Sequence, residues 1–136
     1  MTPTPEPVFR KLDCLSLPVD DLDAAIAFYG RLGHPLLWRD GGKAAGLRLP
    51  DSDGELVLHT DRRPAETCLL VASLPEALAR LTAEGAALAF GPIDIPVGRY
   101  AQVRDPFGNV LAVLDFSKGL LATDAAGNVI GNQPVG

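Results

Sequence analysis

Cysteine is scarce in this chain: there are two, Cys14 and Cys68, each inside an apolar, strand-like run. Two thiols cannot build a disulfide framework, so both are expected as reduced core residues and a small secreted disulfide scaffold is excluded. Basic charge is also in deficit, with 12 Lys and Arg against 17 Asp and Glu, a net charge of -5 and no Lys/Arg run. That leaves no footprint for a phosphate backbone, and nucleic acid is not expected as a partner. No apolar stretch approaches the roughly 20 residues that cross a bilayer. The start, Met1-Thr-Pro-Thr-Pro-Glu-Pro7, has neither a basic segment nor an apolar one. A cytoplasmic protein without membrane contact is expected. Nucleophile motif, phosphate loop, zinc-finger spacing and dinucleotide fingerprint are missing too.

What is present suits one folded domain. Of 136 residues, 47% are hydrophobic and 21% charged, enough for a core and unlike a disordered chain. The chain also repeats itself. An offset of 52 residues aligns Leu22 with Leu74, Ala25 with Ala77, Ile26 with Leu78 and Gly33 with Gly85. Each copy opens on a β-rich run, Cys14–Val19 or Thr67–Val71, and enters a helix-period stripe. Leu22, Ala25, Ile26, Tyr29 and Leu32 form the first stripe, capped by Asp20 or Asp21. Leu74, Ala77, Leu78 and Leu81 form the second, opened by Ser73-Leu-Pro-Glu76. Gly33 and Gly85 supply the left-handed stop.

Three extended runs follow each helix, near 36–39, 44–49 and 55–60, then near 86–90, 99–104 and 109–115. Asp40-Gly-Gly42, residues 50–54, Gly91-Pro92 and Asp105-Pro-Phe-Gly-Asn109 separate them as turns. The expected organisation is a disordered or arm-like segment over 1–7, a domain over 8–116 with modules at about 8–62 and 63–116, and a tail over 117–136. In the tail, Asp124-Ala-Ala-Gly-Asn128 can turn a hairpin, while the Gly/Pro-rich end reads as poorly ordered. No chemistry is assigned to it.

The segment Leu17-Pro-Val-Asp-Asp-Leu-Asp-Ala-Ala-Ile-Ala-Phe-Tyr29 with Leu32-Gly33 resembles the opening of glyoxalase, bleomycin-resistance and extradiol-dioxygenase domains. Gly98-Arg-Tyr-Ala-Gln-Val-Arg-Asp-Pro-Phe-Gly-Asn109 resembles their penultimate strand and its turn into the last. The resemblance, to the vicinal oxygen chelate superfamily, spans roughly residues 8–116. It implies an α+β fold of two βαβββ modules, whose curved eight-stranded mixed sheet encloses a cavity on the face away from the helices. The bland alternative, a ferredoxin-like domain, has no reason to repeat βαβββ.

The superfamily's metal enzymes carry ligands on the first, fourth, fifth and eighth strands. The resemblance places these at Cys14, at Val57 or Leu58, at Glu66 and at Ala112. Valine and alanine cannot coordinate, and a thiolate beside a carboxylate suits no common metal of these reactions, so no cofactor is expected. An irregular divalent site of Cys14, His59 and Glu66 is the alternative. His34, before Pro35, reads as a surface residue.

Strand parity assigns the lining. Ala45, Leu47, Leu56, Leu58, Ala101 and Val103 face the helices, leaving Arg48, His59, Glu66, Tyr100 and Gln102 as polar groups on an apolar floor. Each of Arg48, Tyr100 and Gln102 is either a cavity or a rim residue. Trp38, the single tryptophan, is a pocket wall or a dimer contact. The acidic group Asp20, Asp21 and Asp23 opens a helix and is read as capping.

The expected function is a metal-free binding protein that sequesters a small organic ligand, an antibiotic among the candidates. The alternative is a lyase, isomerase or dioxygenase using the irregular site or acid/base chemistry by Glu66 and Tyr100. A purely structural module is the third reading. A homodimer is expected, because an open curved sheet leaves edges to cover. The arm at 4–9 lies across a neighbouring subunit or folds over its own sheet.

Overall fold

A computed structural model describes residues 5–133. The chain runs β1 (Phe9–Pro18), α1 (Leu22–Arg31), β2 (Leu36–Asp40), β3 (Ala44–Arg48), β4 (Glu55–His59), β5 (Glu66–Val71), α2 (Leu74–Ala83), β6 (Ala87–Ile95), β7 (Gly98–Arg104) and β8 (Val110–Leu114). A hairpin, β9 (Leu120–Thr123) and β10 (Val129–Gln133), follows. The helices have equal length and start 52 residues apart, as the repeat requires. Asp21 caps the first, accepting from Ala24 N at 3.0 Å, which settles the choice between Asp20 and Asp21. Ser73 caps the second, with Pro75 in the first turn where its missing N–H costs nothing. Gly33 and Gly85 take positive φ just past the helices.

The eight strands form one mixed sheet in the order β2-β3-β4-β1-β5-β8-β7-β6. Read outward from the centre, β1-β4-β3-β2 and β5-β8-β7-β6 are the same module twice. Within each, the first strand lies parallel to the last, and β1 meets β5 antiparallel at the seam between them. Expected βαβββ modules are therefore what the chain builds. The helices share one side. Leu22, Ala45, Leu47 and Leu58 form a core under α1, and Val71, Leu74, Ala77, Ala101, Val103 and Val113 form one with α2.

One expectation needs correction. Gly91-Pro92 is not a turn between strands: β6 runs on to Ile95 through a register shift between Phe90 and Ile93. β6 is an edge strand, where a proline removes no needed ladder bond. In the tail, residues 120–133 form the hairpin that Asp124-Ala-Ala-Gly-Asn128 was expected to turn. Asp124 accepts from the Ala126 and Asn128 backbone N–H groups, both at 2.9 Å. Residues 134–136, part of the end read as poorly ordered, lie outside the described residues, as do residues 1–4 of the expected arm. Val8 and Phe9 pack against the chain's own α2 core.

Candidate ligand-binding site

On the face away from the helices lies a cavity of about 800 Å³. Alternation decides who lines it. In β7, Ala101 and Val103 are buried under α2, so Tyr100 and Gln102 point the other way and reach the cavity. In β4, Leu58 sits in the α1 core, and Glu55 and Val57 face inward. Cys14 and Ser16 of β1, Glu66 and Cys68 of β5, and Leu114 of β8 complete the floor.

The polar groups fall into two clusters. In the first, Tyr100 Oη donates to Glu66 Oε1 at 2.7 Å, and Gln102 Nε2 donates to Glu66 Oε2 at 3.2 Å and to Tyr100 Oη at 2.9 Å. Arg63 Nη1 stands 3.5 Å from Glu66 Oε1, with its guanidinium 6.0 Å from the Tyr100 ring centroid. Burial, with the Glu66 carboxylate next, pushes the Tyr100 hydroxyl above its ordinary value, so it stays a donor. Arg63 Nε also donates to Asp61 Oδ2 at 2.9 Å. Burial would raise the Asp61 pKa, but the backbone N–H and guanidinium of Arg63 outweigh it and hold the carboxyl below its usual range.

The second cluster is built over a glycine. Trp38 on β2 reaches across Gly46 on β3, and its Nε1 donates to Glu55 Oε1 on β4 at 2.7 Å. A Cβ on Gly46 would collide with the indole and the carboxylate. Burial raises the pKa of Glu55, partly offset by the Trp38 bond, and burial likewise raises that of Asp13. Cys14 lies directly opposite Cys68 across the seam. The Cys14 thiol is pushed up by its hydrogen bond to Cys68 and by burial, leaving it protonated and poorly nucleophilic.

Of the residues expected from the sequence, Trp38, Glu66, Tyr100 and Gln102 line the cavity, and the last three touch one another. Arg48 does not join them. It sits exposed at the end of β3, where its backbone oxygen takes His34 Nδ1 at 3.0 Å. His59 is 3% exposed but does not line the cavity, and its Nδ1 stands 2.7 Å from Asp61 Oδ1 without an aligned hydrogen bond. The irregular set of Cys14, His59 and Glu66 is also not assembled. In the β1/β4 ladder Cys14 pairs with Glu55 and Pro18 with His59, which spaces His59 four residues along, roughly 13 Å. Among the described residues no three His, Cys, Asp or Glu side chains are grouped to hold a metal. Strand parity turns Glu55 to the cavity, where it lies, but sequence reasoning left Arg63, Asp61 and the hairpin out of the site. The Asp-x-x-Gly-Asn pattern at 124–128, shared with 105–109, was the available signal for the hairpin.

Residues 11–113 match the glyoxalase/bleomycin resistance protein/dioxygenase superfamily. The chain belongs to that superfamily. Methylmalonyl-CoA epimerase from Mycobacterium tuberculosis superimposes with a TM-score of 0.62 at 21% identity, covering 79% of this chain and 89% of that one. The Mn(II)-bound glyoxalase from Novosphingobium aromaticivorans gives a TM-score of 0.54 at 17% identity, over 94% of this chain and 42% of that one. At these identities the likeness is one of fold. TnmS3, an antibiotic binding protein from Streptomyces sp. CB03234, is 29% identical over 82% of this chain and 100% of its own, with a TM-score of 0.38, too loose to say anything about a ligand. No curated protein matches by sequence.

The superfamily's metal enzymes raise the question of whether these residues fit an ion. Of the four positions the resemblance gives, Val57 and Ala112 have no donor, Glu66 has both oxygens engaged by Tyr100 and Gln102, and Cys14 is a free thiol whose ionisation burial and Cys68 oppose. This set does not fit the superfamily's ion.

Proposed function

We propose that this superfamily member is a metal-free binding protein that sequesters a small organic molecule, an antibiotic being among the ligands suited to it. One observation carries the reading: the cavity is roomy and largely apolar, yet its polar clusters are closed on themselves. A general base needs an oxygen within reach of a substrate proton, whereas Glu66 spends both oxygens on Tyr100 and Gln102. A few fixed polar groups on an apolar wall are what orient a bound ligand. Trp38, Phe90 and Tyr100 offer aromatic surface to it, and Glu55 offers an acceptor.

The test is elemental analysis and mass spectrometry of protein purified without chelator. Binding of this kind gives a copurified organic molecule and no stoichiometric divalent ion. A stoichiometric ion lost in Cys14→Ala or Glu66→Ala overturns it. The 2.7 Å contact of Tyr100 with Glu66 favours a second reading, metal-free acid/base catalysis, in which turnover is abolished by Glu66→Gln.

Among the described residues no helix is long and apolar enough to cross a membrane. We place the protein in the cytoplasm as a homodimer with neither nucleic acid nor membrane as partner. The acidic charge and the absence of a basic run support the first exclusion.

A further inference from the structure

The superfamily match ends at residue 113, but the cavity does not. Leu120, Leu121, Thr123 and Val129, all from the β9–β10 hairpin, line it. The hairpin is tied to both modules. On one side Arg39 N donates to Gly127 O at 2.8 Å. On the other, Asn132 Nδ2 donates to Pro96 O and Lys118 N to Val97 O, both at 2.9 Å. Asn132 Nδ2 also donates to Gly119 O at 3.0 Å, bracing the hairpin internally. Its two faces differ: Leu121 is half-buried toward the cavity, whereas Ile130 is 68% exposed and does not line it.

We propose that this hairpin is the specificity-determining wall of the ligand site, with Leu121 and Val129 as its contact residues. The inference rests on the binding reading above and narrows its ligand class. The matched core supplies the polar groups, Glu55 with Trp38 and Glu66 with Tyr100 and Gln102. The hairpin supplies an apolar wall that those groups do not. A molecule held between them needs an uncharged, flat apolar part to lie against Leu121 and Val129, and hydrogen-bonding groups at its rim.

Nile red, a neutral planar dye, is the probe, titrated by its fluorescence into full-length wild type and variants. Leu121→Ala and Val129→Ala are expected to weaken dye binding about five- to tenfold, the effect of losing one buried aliphatic contact. Ile130→Ala, on the outer face of the same hairpin, leaves it unchanged. Thr123→Val covers the case in which the alanine variants unfold, because it keeps volume while making the wall more apolar; it is expected to tighten dye binding. The inference is overturned if all three cavity-facing variants bind as wild type while Leu114→Ala on the sheet weakens the dye. A wild type that takes up no dye overturns the binding reading, and this inference with it.

Discussion

At position 46 the absent side chain positions two present ones. Because Gly46 adds nothing to the cavity face of β3, the Trp38 indole can cross from β2 and bond Glu55 on β4. Gly46→Ala is expected to cost about 1–3 kcal/mol through overpacking, while Gly42→Ala, which meets open space in the β2–β3 turn, stays near neutral. Denaturant unfolding measures both. In a Trp38→Ala background most of the Gly46→Ala cost should vanish, and a cost that persists there would refute the crossing. The same scale explains which site residues could be read from sequence. Tyr100 and Gln102 alternate with apolar Ala101 and Val103 in mid-strand, where period-two reasoning is strongest. Arg48 has suitable parity, sharing the face of Ala44 and Gly46, but it is the last residue of its strand and projects beyond the cavity. His59 likewise ends β4, and parity cannot tell a lining residue from one buried beside the lining.

Elements are joined at Asp115, the residue after β8. Its carboxylate is 2% exposed and accepts from Leu74 N at the start of α2 (2.8 Å), from Arg99 N on β7 (3.0 Å) and from Ser117 N and Oγ (3.2 and 2.8 Å) on the way to the hairpin. Burial alone would raise its pKa; these bonds outweigh it and hold it below the ordinary 3.8. A depressed folded-state pKa means stability that is complete above the unfolded value and lost as pH falls through the folded one. Asp115→Ala should therefore cost about 3 kcal/mol at neutral pH and flatten the acid limb of the stability curve below about pH 4. A variant that keeps the wild-type acid limb would contradict this. Helices were legible at this scale because caps, stripes and stop glycines are local in sequence. The hairpin's turn was legible for the same reason, but its place against β2 and the β6–β7 turn depends on contacts tens of residues away, which no local pattern encodes.

For the whole molecule, the repeat in sequence becomes a repeat in space, with β1 and β5 meeting at the centre and α1 and α2 standing over β3/β4 and β6/β7. The central strands are thus left without a helix of their own, and Leu12 (62%), Leu15 (39%) and Val110 (48%) remain exposed there. The proposed homodimer covers such surface or the open edges β2 and β6. Sedimentation at micromolar concentration should give a dimer; a strict monomer that still takes up ligand would remove both the assembly and any sharing of the cavity between subunits. Trp38 has a further consequence for how the molecule is studied. It is the single tryptophan of the chain and stands in the cavity wall, so all indole emission originates at the site. Candidate ligands can be screened, unlabelled, by the quenching or colour change they impose on that one signal, with no background from elsewhere in the fold.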